Sequence, residues 1–246
     1  MRNYKLILLV VVVLAIFLRF YRLNEVPPGV NRDEASIGFT AYSLLQTGQD
    51  EYGHAWPLSF QSFGDWKLPL YIYSTIPIVA ILGMSELAVR LPSAIAGIAT
   101  VIVTFFLVQE LFKSYRLSLI TAFLLAITPW HLHLSRVESE SNVAVLFTAT
   151  GFLLLFKAFR KPALAILAAI LLALTYYTYH GNHITTTLLV AGFIALYWKD
   201  VIKIKQFRYA AVLFILLVSF ILYYTLFSAD TTKLSGIGLL GDPFVV

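Results

Sequence analysis

Apolar residues along the chain gather into long blocks divided by short charged islands. Seven blocks approach the ~20 residues that a helix needs to cross the hydrocarbon core of a bilayer. They cover residues 6–20, 87–112, 117–130, 143–156, 163–179, 184–198 and 209–227. The first lies behind Arg2 and Lys5, as a signal peptide would, but its far flank holds Arg19, Tyr21 and Arg22 and no small-residue cleavage pattern. It is therefore expected to stay as an uncleaved anchor.

A further apolar stretch, 68–83, breaks the regularity. It carries Pro69 and Pro77, and its Tyr71 and Tyr73 suit the depth of lipid headgroups. This predicts an interfacial or bent segment inside a long first loop, 21–86, with a short spanning helix as the alternative. Earlier in that loop, Asn31 followed three residues later by Glu34 has the spacing of a capping box. Ile37, Ala41, Leu44 and Leu45 then form one stripe, and Gly48 stands where a helix would end. An amphipathic helix lying on the membrane is expected there.

Composition supports a bilayer as the solvent: of 246 residues 59% are hydrophobic and 13% charged, outside the range of a soluble globular domain. With no cysteine, disulfides and thiolate metal sites drop out. A net charge of +5 would suit nucleic acid if it formed one patch, but it is distributed as a topology signal and no nucleic-acid partner is expected. If 68–83 does not cross, Arg2, Lys5, Lys113, Arg116, Lys157, Arg160, Lys161, Lys199, Lys203, Lys205 and Arg208 share one side with only Glu110 and Asp200. Glu25, Asp33, Glu34, Asp50, Glu51, Asp65, Glu86, Glu138, Glu140, Asp230 and Asp242 then share the other. The positive-inside rule makes the first side cytoplasmic, and a crossing by 68–83 would break that rule repeatedly. The expectation is a multi-pass protein of the plasma (inner) membrane, with a cytoplasmic N-terminus and an acidic external face.

Candidate chemistry lies on that face. Asp33 is not needed for the capping box, yet it sits in the first turn, where the helix dipole favours an ionised carboxylate free to take a proton or a metal. Asp65, Trp66 and Lys67 bring an acid, an indole and a cation to the membrane boundary, either as an interfacial anchor or as a cation for a phosphate at headgroup level. His131 and His133 are two apart and face different ways on a helix, which makes a poor metal pair. Arg136 and Glu140, four apart, read as a helix salt bridge or as a catalytic pair. Tyr176, Tyr177, Tyr179, His180, Asn182 and His183 follow at the next external turn, as an aromatic belt or as a surface that holds a sugar.

These pieces, taken in order, resemble the polyprenyl-phosphate-dependent membrane glycosyltransferases, a group that includes protein O-mannosyltransferases and lipid A aminoarabinose transferases. The matching residues are Arg32-Asp33-Glu34, Trp66-Lys67-Leu68-Pro69-Leu70-Tyr71, Glu86 through Arg90-Leu91-Pro92-Ser93, Ser135-Arg136 with Glu140 and Asn142, and Tyr177-Thr178-Tyr179-His180. The resemblance implies an all-α, polytopic helix bundle of the GT-C type. By it, Asp33 matches the catalytic first-loop acid, Glu140 the second external acid, and Lys67 a lysine that holds the donor phosphate, with Arg136 and Arg32 as further phosphate cations. Glu34, Asp65, Tyr177, Tyr179 and His180 would contact substrate. His183 stands where many relatives carry an arginine, and Asp65 matches a glutamate only loosely. Members usually extend well beyond this length, so a fragment is expected, with 1–246 as one transmembrane domain and 228–246 opening a second external region.

The implied reaction moves a sugar from a polyprenyl-phosphate donor to a protein, lipid or glycan acceptor. Asp33 would take the acceptor's proton in a single displacement that inverts the anomeric centre. The leaving phosphate monoester, with a second pKa near 6, departs without a dedicated acid. No definite cofactor is implied, and a divalent metal ion bridging Asp33 and Glu140 stays open. Two other classes compete: a transporter or flippase of lipid-linked glycan, which would show broken helices in repeated halves, and a non-catalytic membrane subunit.

Overall fold

A computed structural model of the chain describes residues 3–63 and 65–227. The described elements, in chain order, are α1 (Asn3–Phe20), α2 (Arg32–Thr47), strands β1 (Phe60–Ser62) and β2 (Asp65–Lys67), α3 (Pro69–Leu82) and α4 (Glu86–Phe112). There follow α5 (Tyr115–Ile127), α6 (Pro129–Leu134), α7 (Glu140–Ala158), α8 (Leu164–Leu174), α9 (Gly181–Val201) and α10 (Lys205–Phe227). The region 228–246 lies outside the described residues. On length and composition alone, α4, α7, α9 and Lys205–Thr225 of α10 can cross a membrane, while α3, α5 and Leu164–Tyr177 are shorter apolar helices. Among the described residues, four of the seven apolar blocks thus hold helices that qualify outright. The block 117–130 is divided because Pro129 has no N–H to continue α5 and instead starts α6.

Local chemistry sets the helix ends of the first loop. Glu34 N–H donates to Asn31 Oδ1 at 2.8 Å and Asn31 N–H to Glu34 Oε2 at 3.1 Å, the reciprocal box that starts α2. Gly48 takes φ 71°, the left-handed conformation that closes the helix by a bond to Leu44 O. The stretch 68–83 folds as α3, 14 residues started by Pro69 and ended by Gly83. At 1.5 Å per residue it is about 21 Å long, short of the ~30 Å hydrocarbon core.

The contacts sort helix ends into two groups. At one end Tyr4 stacks on Tyr115 with ring centres 4.2 Å apart, Lys157 lies over Phe106, and Arg160 pairs with Glu110 at 2.5 Å. At the other, Arg136 Nη1 donates to Leu18 O at 2.7 Å, Arg90 Nη1 to Leu23 O at 3.0 Å, and His180 Nε2 lies 3.0 Å from Trp66 O. The end of α1 and the start of α4 therefore meet at one end of the bundle, and all of 21–85 begins and finishes there.

Small residues let the helices approach. Ala122 and Ala126 of α5 pack with Val11 and Ala15 of α1 and Phe105 of α4, and Ala165, Ala168 and Ala169 of α8 pack with Leu155, Phe193 and Phe207. At Gly97 of α4 a methyl group would strike Ser135, and at Gly151 of α7 it would come 2.6 Å from Leu172 Cγ. A third cluster, with Ile37, Ala41, Tyr71, Ile72, Ala88 and Val143, seats α2 and α3 on α4 and α7. Large apolar side chains such as Leu9, Val13, Ile184, Leu188, Leu216 and Phe220 face outward, as a lipid solvent requires.

Candidate active site

Asp33 is the second residue of α2, beside the cap, and its side chain is 52% exposed. Three residues on, Ser36 lies on the same face of the helix. Ser62 Oγ of β1 donates to that serine's Oγ at 2.7 Å. The hairpin register then pairs Phe60 with Lys67, so buried Phe60 and Ser62 fix where the second strand runs. Lys67 Nζ is delivered to 3.0 Å from Asp33 Oδ1, with its own side chain only 8% exposed.

From the opposite side comes the loop between α6 and α7. Glu138 N–H donates to Glu34 Oε1 at 3.2 Å, which anchors the loop to α2, and Glu140 opens α7 behind the Ser139 cap. Lys67 thus sits among carboxylates from three elements. Burial would lower its ammonium, but the charges of Glu140, Asp33 and Glu138 outweigh burial and raise it. Glu138 has its Oε1 fully buried without a hydrogen-bond partner. Burial pushes its carboxyl up to about 7; Asp33 and Glu34 add to the rise, while Lys67 and the Glu140 amide oppose it.

Glu34 has a different task. It is 2% exposed, and Arg90 Nε and Nη2 donate to its two oxygens at 2.7 and 3.1 Å. Burial pushes its carboxyl up, yet Arg90 and the Asn31 and Glu138 amides more than offset that and hold it below the usual range. Arg90 also donates to the Pro27 and Gly29 carbonyls at 3.1 and 2.6 Å and pairs with Glu86 at 3.4 Å. Expected as a substrate contact, Glu34 is instead the buried tie between α2, α4 and the α6–α7 loop.

Arg136 also differs from expectation. Its Nη1 and Nη2 donate to carbonyls of Leu18, Arg19, Tyr21 and Val26 at 2.7 to 3.2 Å. These are acceptors of the last turn of α1 and of the segment just after it, so the guanidinium caps that helix end. It precedes α7 and does not share a helix with Glu140, which removes the basis for an i,i+4 pair. Arg32 is exposed and lies 5.1 Å over the Phe63 ring. Asp65 pairs its backbone with Ser62.

The expected sugar surface separates into parts. Tyr177 Oη donates to Leu217 O of α10 at 2.7 Å, a packing bond, and His183 stacks on Tyr176 with Nε2 3.0 Å from Tyr176 O. Tyr179 is exposed, and His180 reaches the hairpin at Trp66 O. Of the expected site, Asp33, Lys67 and Glu140 come together, with His180 bordering them through Trp66. No group of three or more His, Asp and Glu suited to a metal occurs among the described residues.

Residues 9–235 match the family described as dolichyl-phosphate-mannose-protein mannosyltransferase. The chain belongs to this family. Its fold is similar to that of ArnT from Cupriavidus metallidurans, solved as an apo crystal structure, with a TM-score of 0.70 and 12% identity. That likeness covers 92% of this chain and 42% of ArnT, so the chain spans less than half of ArnT's length. At such identity the likeness speaks for the fold, a GT-C helix bundle. A search of curated proteins returns no match.

Within this mannosyltransferase family member, several resembling motifs hold one another. Asn142 Nδ2 donates to Ser93 O at 2.9 Å, and Ser93 Oγ donates to Leu134 O at 2.7 Å, locking α7 and α6 to α4. The motif residues Glu34, Arg90, Ser93, Arg136 and Asn142 build the frame, while Asp33, Lys67, Glu138 and Glu140 face one another inside it. Sequence reasoning missed Arg90 and Glu138 as site residues. Arg90 had a readable signal, four residues after Glu86 at the mouth of an apolar helix. Glu138 had only its place two residues before Glu140.

Proposed function

We propose that the protein is a membrane glycosyltransferase that moves a sugar from a polyprenyl-phosphate donor to a hydroxyl or amine acceptor on the extracytoplasmic face. The observation that carries this reading is the Asp33–Lys67 pair, an exposed carboxylate 3.0 Å from a buried ammonium at the mouth of a membrane bundle. Family membership and the GT-C fold support it.

Asp33 is the base. It lies in the first turn of α2, half-exposed at the bundle mouth, where it can reach the acceptor's proton. As the acceptor oxygen or nitrogen forms its bond to the anomeric carbon, the bond from that carbon to the phosphate oxygen breaks. The electron pair leaves with the polyprenyl phosphate, and the anomeric centre is inverted. Lys67 is the cation that stabilises the developing phosphate charge. Arg136 and Arg90 are engaged elsewhere, so this role falls on Lys67 within the cluster. Lys67 is paired with Asp33; a phosphate on Lys67 would release Asp33 to act on the acceptor.

The external assignment rests on charge. The end bearing Asp33, Glu138 and Glu140 is acidic, and the opposite end carries Lys113, Lys157, Arg160 and Lys161, which the positive-inside rule places in the cytoplasm. A lipid-linked donor suits a face to which nucleotide sugars are not supplied. The test is transfer of labelled sugar from a polyprenyl-phosphate donor. Asp33→Asn is expected to lose about 10²-fold or more, and unaltered transfer would remove Asp33 as the base.

A further inference from the structure

Glu138 belongs to none of the roles above, yet it is the most unusual ionisable group in the cluster. Its Oε1 is wholly buried without a hydrogen-bond partner, while its backbone is fixed to Glu34. The groups around it come from every packed element. They are Asp33 and Glu34 on α2, Lys67 on β2, the Tyr71 hydroxyl on α3, Arg90 on α4 and Glu140 on α7. Arg90 is neutralised by Glu34, and Tyr71 Oη donates away to Val89 O at 2.8 Å. Among the described residues, Asp33, Glu138 and Glu140 then lie around the Lys67 ammonium, a concentration of negative charge where an anionic phosphate must bind.

We propose that Glu138 is a positioning residue that acts through Lys67, taking up a proton from solvent when the donor's phosphate settles on that lysine. With Glu138 protonated, the cluster loses one negative charge and Lys67 can pair with phosphate. With Glu138 ionised, the carboxylates compete for Lys67 and repel the donor. Burial holds the Glu138 carboxyl near about 7, so both states are populated around neutrality. A glycosyl phosphodiester keeps one negative charge across this range, which leaves the protein as the source of any pH dependence.

The proposal rests on the glycosyl-donor reading, and the experiment separates the two. The protein in liposomes is titrated without substrate by difference infrared spectroscopy, wild type against Glu138→Gln. A protonated-carboxyl band that disappears near neutral pH is expected in the wild type and not in the variant. A wild type without that band, or a variant that keeps it, overturns the proposal.

Binding of dolichyl phosphate mannose is then measured at about pH 6 and about pH 8. Wild-type affinity is expected to fall about tenfold with rising pH, the order set by one nearby unit charge, and the variant to stay flat. Equal pH dependence in both proteins overturns the role of Glu138 and leaves the donor reading intact. No binding by either protein at either pH overturns the donor reading and this proposal with it.

Discussion

Arg90 and Arg136, each four residues from a glutamate in the sequence, illustrate how two cations of one type take tasks that only the folded chain reveals. Arg90 is fully buried and paired with Glu34 through two bonds. Removing one partner leaves the other charge buried alone, so Arg90→Met or Glu34→Ala is expected to cost about 3–5 kcal/mol in thermal unfolding. Glu138 gives the opposite sign with pH. Its folded-state carboxyl titrates near about 7 against an ordinary 4.5, so the folded protein holds a proton that the unfolded chain releases. Stability contributed at this position is present below the ordinary value and is lost as pH rises toward 7. Melting curves should show Glu138→Gln gaining on the wild type between about pH 5 and about pH 8, and a constant difference would contradict the buried, protonated state.

Among the elements, the long apolar blocks were readable because lipid-facing and packing residues are both apolar, so a span needs no partner to be recognised. The α2 start was readable because Asn31 and Glu34 satisfy each other locally. The β1–β2 hairpin was not: three residues a side are too short for a period-two signal, and it is held by a distant serine, Ser36. Arg136 was legible as a cation but not as a cap, because no local pattern tells which helix end will lie beside a loop 110 to 118 residues away. Asp33 and Lys67 were found through a motif, whereas their 3.0 Å approach required the hairpin. Gly97 marks the close crossing between α4 and the Ser135 turn. Gly97→Ala is expected to destabilise by about 1–3 kcal/mol by overpacking, with reduced transfer because the turn leads into Glu138 and Glu140. A variant as stable as the wild type would show that the turn can shift.

For the whole molecule, the acidic cluster, the first loop and the 178–181 turn gather at one end, while Glu110, Arg160 and Tyr115 mark the other. The chain has no cysteine, so single cysteines report sidedness without background. Tyr52→Cys and Tyr179→Cys are expected to react with an impermeant reagent from the same side, and Lys203→Cys from the opposite side. Labelling of Tyr52→Cys and Tyr179→Cys from different sides would mean that the first loop crosses the membrane.

The central claim is that Asp33 and Lys67 divide the work of one transfer reaction, base and phosphate cation. Steady-state transfer from a polyprenyl-phosphate donor tests it most directly. Asp33→Asn is expected to lose kcat by about 10²-fold or more with little change in donor KM, and Lys67→Met to raise donor KM as well as lower kcat. Wild-type kinetics in either variant, or identical losses confined to donor KM in both, would contradict the division of roles.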